Sequence, residues 1–431
     1  MTGPEDSRPP GLLRRLVMLE PGEGAPVAWA FAYFFFVLLS YYLLRPVREA
    51  FGIARGADAL PWLMTGTLIA MLAANPAFAA LVSRLPRRRF IPFAHRFFMA
   101  NLALFFALFQ LLPHRGLALG YAFYIWLSVF NLFVVSLFWG LMSDLFREEQ
   151  GKRLFGLLAM GGTLGAIMGA GLTGALSMGL SLGGRVLKAP PSAMLLASIL
   201  ALEAAAQCML VLARRFDLGN RAGGSREPGP GPTEGLRLIA RSSYLQLICG
   251  YILLYTITST LLYLAQGAIV ARAFDSQAAR TAAFARIDVW VNVLTLATQL
   301  FVTGRLLQRF GVAAVLCAIP VITALGFGAL ALWPVFGVLF AFQVARRGLH
   351  YAVDRPAREV LYIPLGADER YKSKPFIDTF VYRFGDLFGV WLPALLGAVA
   401  IPAFVASLAA SLGWLGTGLG LHRLRKRMGF S

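Results

Sequence analysis

Two arginines one helical turn apart, at the end of a long apolar run, can do chemistry that neither would do alone. Tyr41, Arg45 and Arg48 recur at i, i+4 and i+7 and close the apolar stretch from Val27 to Leu44. At 100° per residue they share one helical face, which carries a phenol and two guanidinium groups. A guanidinium pairs bidentately with phosphate or carboxylate. In or beside hydrocarbon it is costly unless it meets a water-filled cavity, a carboxylate or an anionic ligand. The face therefore points to a pathway for something negative. The same side chains could instead reach out to lipid headgroups, with Glu49 pairing to Arg45 at i+4.

Other polar stripes sit inside apolar segments. Asp288, Asn292, Thr295 and Gln299 fall on one face, a stripe that lipid tolerates poorly and that should turn to the interior of a helix bundle. It would either line a cavity or bond between helices. Asp378, Tyr382 and Asp386 recur at i, i+4 and i+8, and Arg383 is placed to neutralise Asp386 locally. That leaves Asp378 to seek Lys372, Lys374 or another helix. Glu203 stands alone in its segment and needs a cation or a proton. Tyr251, Tyr255 and Thr258 form a face that could stack a planar ring or simply pack with satisfied hydroxyls. Gly161, Gly165 and Gly169 repeat every fourth residue, a pattern for close approach of another helix.

The elements that must position these groups follow from composition. Hydrophobic residues make up 58% of the 431-residue chain and charged residues 14%, against about 25% charged usage in soluble domains. Mean hydropathy is +0.68. The fold class is an all-α polytopic membrane protein. Twelve apolar segments are long enough to span: 27–45, 60–82, 91–112, 119–145, 153–180, 190–213, 243–270, 284–304, 311–332, 334–352, 375–400 and 402–421. The stretch rich in Gly, Pro and charge between the sixth and seventh divides them six and six. The expected organisation is an N-terminal segment 1–26, a six-helix half 27–216, a linker 217–242, a second half 243–421 and a basic tail 422–431.

A net charge of +19 raises the question of nucleic acid, but the placement of the charges answers it differently. Of 40 Lys and Arg, 29 fall in the termini and in or beside alternate connections, Arg346 and Arg347 at the end of the tenth segment among them, 8 in or beside the intervening connections and 3 well within spans. By the positive-inside rule both termini and the linker are cytoplasmic, in a cell (inner) membrane. No nucleic-acid partner is implied. Met1–Gly24 lacks the pattern of a cleavable signal. Cys208, Cys249 and Cys317 all lie in apolar segments, the four histidines show no ligand spacing, and no G-x-x-x-x-G-K-[ST] occurs. Neither a metal, a cofactor nor an enzymatic activity is expected.

The halves echo each other. Arg84-Leu-Pro-Arg-Arg-Arg-Phe90 follows the second span, and Gly304-Arg-Leu-Leu-Gln-Arg-Phe-Gly311 follows the eighth. Such symmetry marks transporters built of two related halves with substrate between them. It resembles the major facilitator superfamily, although Ser83 and Gln308 stand where that turn usually carries an acidic residue.

A narrower resemblance runs along the chain. Arg358-Glu-Val-Leu-Tyr-Ile-Pro-Leu-Gly366, then Tyr371-Lys-Ser-Lys-Pro-Phe-Ile-Asp378 and Arg383-Phe-Gly385, resemble the K-E-x-x-Y/F-I-P-L, K-x-K-x-x-I-D and R-x-G runs of the ATP/ADP translocase family of plastids and intracellular bacteria. Leu44-Arg-Pro-Val-Arg48-Glu resembles that family's L-R-x-x-K-D. Phe138-Trp-Gly-Leu-Met-Ser-Asp144 with Lys152-Arg-Leu-Phe155 resembles F-W-x-x-x-N-E and A-K-R-F/L-Y. The resemblance implies nucleotide exchange or import, with Arg48, Arg358, Lys372 and Lys374 meeting phosphates and Asp144 in a charge network. The chain departs from the pattern at Asp386, where the family has a lysine.

The substrate-binding set expected from these readings is Tyr41, Arg45, Arg48, Asn131, Asp144, Tyr251, Tyr255, Asp288, Asn292, Arg358, Lys372, Lys374, Asp378 and Arg383. Coupling candidates are Glu203, Asp288, Asp378 and Asp386. The expected function is secondary active transport of an anionic solute, a nucleotide first, by a monomer whose halves rock about a central cavity. Two alternatives are a lipid or amphiphile flippase with a cavity open to the bilayer, and a membrane sensor or scaffold with no cavity.

Overall fold

A computed structural model describes residues 20–428, apart from 21, 85–86, 183–184, 217–231, 302, 363, 367–368, 370–372, 375 and 399–402. The described chain is helical except for a short hairpin, Leu180–Leu182 against Arg185–Leu187. In the first part of the chain run α1 (Gly24–Gly52), α2 (Leu60–Arg84), α3 (Arg87–Leu111), α4 (Gly116–Leu145), α5 (Glu148–Met178) and α6 (Pro191–Arg215). A short α7 (Pro232–Arg241) leads into α8 (Ser243–Ala273), α9 (Gln277–Phe301), α10 (Thr303–Leu332) and α11 (Phe336–Leu349). A π turn at His350–Asp354 joins α11 to α12 (Arg355–Val360). A second π turn at Ile377–Val381 leads into α13 (Tyr382–Ala398), followed by α14 (Ala403–Arg427).

Each of the twelve predicted apolar segments falls on a helix. Among the described residues nine helices are long and apolar enough to cross a membrane. The other three are α9, made polar by its own stripe, and α11 and α13, where π turns break the helix. Backbone in a bilayer must bond to itself, and the described residues of these segments do so almost entirely as helix.

Three apolar cores organise the bundle. One is drawn wholly from residues 27–213 and a second wholly from residues 239–421. The third is shared, joining Ala50, Ile53 and Leu60 to Leu261, Leu262 and Phe284. Each half is thus packed on its own and the two meet at one end. Between the halves α5 lies along α9, α1 touches α9, and α2 touches α13.

The glycine repeat of α5 sets how close α1 can come. A methyl at Gly161 would lie 2.7 Å from the Phe31 carbonyl oxygen, and one at Gly169 2.8 Å from that of Leu39. At Gly165 it would overlap the Phe35 carbonyl. The expected close approach is present, and its partner is the helix that carries Arg45 and Arg48. Thr173 then donates to the Leu43 carbonyl at 2.8 Å, and Ser40 bonds Ser198 at 2.7 Å, fixing α1 against α5 and α6.

Candidate functional site

A cavity of about 1090 Å³ lies between the halves. Small-molecule sites commonly span about 300–1,000 Å³. Tyr41, Arg45 and Arg48 all line it, so the arginines turn to an interior space and not to lipid headgroups.

Arg45 Nη1 lies 2.8 Å from Asp288 Oδ1 and 3.3 Å from the Tyr42 hydroxyl. The same carboxylate oxygen is 3.1 Å from Arg347 Nη1. Asp288 is 2% exposed, so one buried anion is held between a cation from the first half and one from the second. Two partners offset the desolvation that a lone buried carboxylate would suffer. Asn292, on the next turn of α9, lines the cavity and donates back to the Asp288 carbonyl at 2.8 Å.

Deeper in, Arg48 rests over the Tyr124 ring at 4.1 Å and pairs with its neighbour Glu49 at 3.5 Å. The Tyr263 hydroxyl donates to Glu49 Oε2 at 2.5 Å and shares a 2.6 Å bond with the Tyr124 hydroxyl. The expected i+4 pairing of Glu49 with Arg45 is therefore not what forms. Asp288 captures Arg45, which leaves Glu49 to Arg48 and to a phenol from the other half. Beyond this layer the shared apolar core seals one end. Arg280 bridges that end, donating to the Phe274 carbonyl at 2.8 Å and across the halves to the Ile53 carbonyl at 3.1 Å.

On the second half's wall, Arg383 and Asp386 both line the cavity and pair at 3.4 Å, and Thr260 also bonds Asp386 at 3.4 Å. Arg355 and Glu359 line it further out. Lys374 reaches Glu359 at 2.5 Å, so Glu359 takes the lysine expected for Asp378. Asp378 lies exposed outside the lining. Asn131 faces the cavity from α4.

Several expected residues lie elsewhere. Tyr251 is fully buried behind the wall, where its hydroxyl contacts Asp354 Oδ1 at 2.6 Å and the Leu316 carbonyl oxygen at 3.0 Å. Tyr255 stacks on His350 with ring centroids 4.2 Å apart. These two pack with protein partners, because the face turns into the second core. Arg358 lies 3.6 Å from Asp354 Oδ2, and His350 bonds the same oxygen at 2.9 Å. Asp144 is at the end of α4, outside the lining. Glu203 takes Arg96 at 3.8 Å and Gln207 at 2.5 Å on the bundle's outer face. Lys372 lies outside the described residues.

Tyr124, Tyr263, Arg347 and Arg355 are absent from the expected set, as is Glu49, which the sequence offers only as a local partner of Arg45. Arg346 and Arg347 had been counted among loop cations. Instead Arg346 is 2% exposed, and Arg347 reaches Asp288. A signal was available: both fall where α11 is still helical, and Gln343 lies one turn before Arg347 on the same face.

Buried polar atoms mark what the site can do. Among the described residues Arg48 Nε, Arg347 Nη2 and Thr67 Oγ1 are buried without a hydrogen-bond partner. Arg48 and Thr67 line the cavity, and Arg347 shares Asp288 with Arg45, which lines it. Buried donors normally find acceptors, so this space is suited to an anion that offers several.

Residues 118–416 match the family described as TLC ATP/ADP transporter. The chain is 21% identical to ADP,ATP carrier protein 1 of Chlamydia muridarum over 91% of its own length and 87% of the relative's. It is 22% identical, with the same coverage, to the protein of that name from Chlamydia trachomatis. Among solved structures, an auto-inhibited POT family peptide transporter superposes with a TM-score of 0.61 at 13% identity, covering 93% of this chain and 97% of that one. A mutant of the nucleoside transporter NupG gives 0.58 at 14% identity, covering 94% and 100%. The chain shares the fold of these solved structures.

Proposed function

The chain belongs to the TLC ATP/ADP transporter family, and from that premise we propose that it carries an adenine nucleotide across the membrane by alternating access, in exchange for a counter-nucleotide. The observation that carries this reading is Arg45, held at the cavity by a carboxylate of the opposite half that also takes Arg347, with buried donors left over. A polyphosphate offers bidentate acceptors to Arg45 and Arg48 and to those unmet donors. Charge-assisted bonds of this kind are each worth about 1.5–3 kcal/mol.

Binding is tied to movement because the same arginines hold the halves together. With the cavity empty, Asp288 ties Arg45 to Arg347, and Glu49 ties Arg48 to Tyr263. A phosphate that draws Arg45 or Arg48 away weakens those ties, which biases the two halves toward rearrangement. Exchange is favoured over proton coupling at Asp288, since that carboxylate is already held between two guanidinium groups. Glu203 and Asp378 lie outside the cavity, leaving Asp386 as the coupling candidate that lines it.

The cavity is formed by one chain, which suits a monomer. If the basic termini and alternate loops face the cytoplasm of an inner membrane, the sealed end faces outward and the described state is inward-facing. Purified protein in liposomes loaded with ADP should take up labelled ATP, and empty liposomes should take up far less. No uptake, together with a melting temperature unmoved by any nucleotide, would remove this reading.

A further inference from the structure

The cavity's lining residues on α4, read from the sealed end, are Tyr124, Ser128, Asn131, Val135 and Trp139. They follow the three-and-four spacing of a single helical face. Chemistry changes along that face from a phenol on Arg48, through a hydroxyl and an amide, to an apolar end. On α5 the lining residues are Phe155, Ala159 and Thr163. Trp139 meets Phe155 edge to face at 5.4 Å and Phe34 at 5.5 Å. Ala159 and Val135 line the same stretch with small apolar side chains.

On α1, Phe34 precedes Arg45 by about 17 Å of helix, the scale of an extended nucleoside polyphosphate. The cations of the first half lie toward the sealed end and its aromatic wall lies at the other, so a ligand whose charge meets Arg45 and Arg48 can lay its ring toward that wall. We propose that the wall formed by Trp139, Phe155 and Phe34 is the nucleobase subsite, and that the Asn131 amide reads the edge of the base while Arg45 and Arg48 hold the phosphates. An aromatic face suits any base. An amide can donate to N7 and accept from the 6-amino group of adenine in one bidentate contact, a pairing that guanine, with its 6-oxo group, does not offer. Trp139 supplies affinity and Asn131 supplies selectivity.

This inference rests on the nucleotide reading, and the two can fail separately. Binding of ATP, GTP and inorganic tripolyphosphate to the purified full-length protein should be measured for the wild type and for Trp139→Ala, Trp139→Phe, Asn131→Ala and Arg48→Ala. Trp139→Ala should weaken ATP and GTP about tenfold and leave tripolyphosphate unchanged, while Trp139→Phe keeps most of the affinity. Asn131→Ala should reduce the preference for ATP over GTP about tenfold. Arg48→Ala should weaken all three ligands. If Trp139→Ala weakens tripolyphosphate as much as ATP, or if neither Trp139→Ala nor Asn131→Ala alters nucleotide binding, the base subsite is overturned and the nucleotide reading stands. A wild type that binds tripolyphosphate but neither nucleotide removes both.

Discussion

Arg45 and Arg346 are both arginines among apolar helices, yet they are held in opposite ways. Arg346 gives its Nε to Thr323 at 3.0 Å and its Nη2 to Thr258 at 3.1 Å and Ser259 at 2.9 Å. It lies over the rings of Tyr255 and Trp414 at 5.4 and 5.8 Å. Every one of these partners belongs to the second half and none is charged. Arg45 has its counter-ion on the other half of the protein, beside a cavity. A cation satisfied by neutral groups of its own half stiffens that half. One whose anion lies across the interface can be traded to a passing phosphate, so in the proposed mechanism it is the cross-half pairs that would couple binding to motion.

The sharpest break of that comparison is Asp288→Asn. It leaves Arg45 and Arg347 without their shared anion, which should cost about 3–5 kcal/mol, read as a lower unfolding temperature in detergent, with nucleotide exchange lost. Wild-type stability in this variant would mean that the cross-half pair is ornamental. Next in size is Tyr263→Phe, which removes the donor to Glu49 and should cost about 1.5–3 kcal/mol. Because that bond crosses the halves near the sealed end, a cysteine placed in the shared core should also become more reactive to a membrane-impermeant thiol reagent. Unchanged labelling would restrict Tyr263 to a packing role.

Arg346→Met tests the other side. Losing the bonds to Thr323, Thr258 and Ser259 should cost about 1–3 kcal/mol, but the ATP-to-ADP exchange per folded molecule should stay near wild type. A selective loss of transport at unchanged stability would place Arg346 with Arg45 after all.

The smallest effect is expected at Glu23, just before α1. Burial pushes its carboxyl up, but the bonds from the Glu20 backbone N–H, Arg153 and Gln150 outweigh that, so it titrates below its ordinary 4.5. A carboxyl lowered in the folded state adds stability above its unfolded value and loses it as the pH falls through the lower folded value. Unfolding temperatures of wild type and Glu23→Gln should therefore differ at pH 7, with the gap closing as the pH falls below the carboxyl's ordinary 4.5. A constant gap across that range would show that the carboxylate charge is not what Arg153 binds.

Helical spacing made the face of Tyr41, Arg45 and Arg48 legible, as it did the polar stripe from Asp288 to Gln299, because a helix fixes which residues share a side. It could not say that the two faces meet. Local rules offered Glu49 to Arg45, and the structure gives Arg45 to Asp288 from a helix far along the chain. The Tyr251 and Tyr255 face was equally regular, but it turns into the second core, since regular spacing defines a face without defining its direction. Arg346 and Arg347 were read as loop charges because counting by loops cannot see a helix that carries cations inward.

The amino-acid sequence by itself determined that this chain fills a bilayer with helices, that α5 must take another helix closely, and that cations lie within its apolar segments. Those are consequences of hydropathy, side-chain size and a 3.6-residue period, all of them local. Tertiary structure alone decided which anion each arginine receives, which faces share the cavity and which end is sealed. Those depend on groups hundreds of residues apart being brought within 3 or so ångströms of each other, about the reach of one hydrogen bond, and no local rule carries that far.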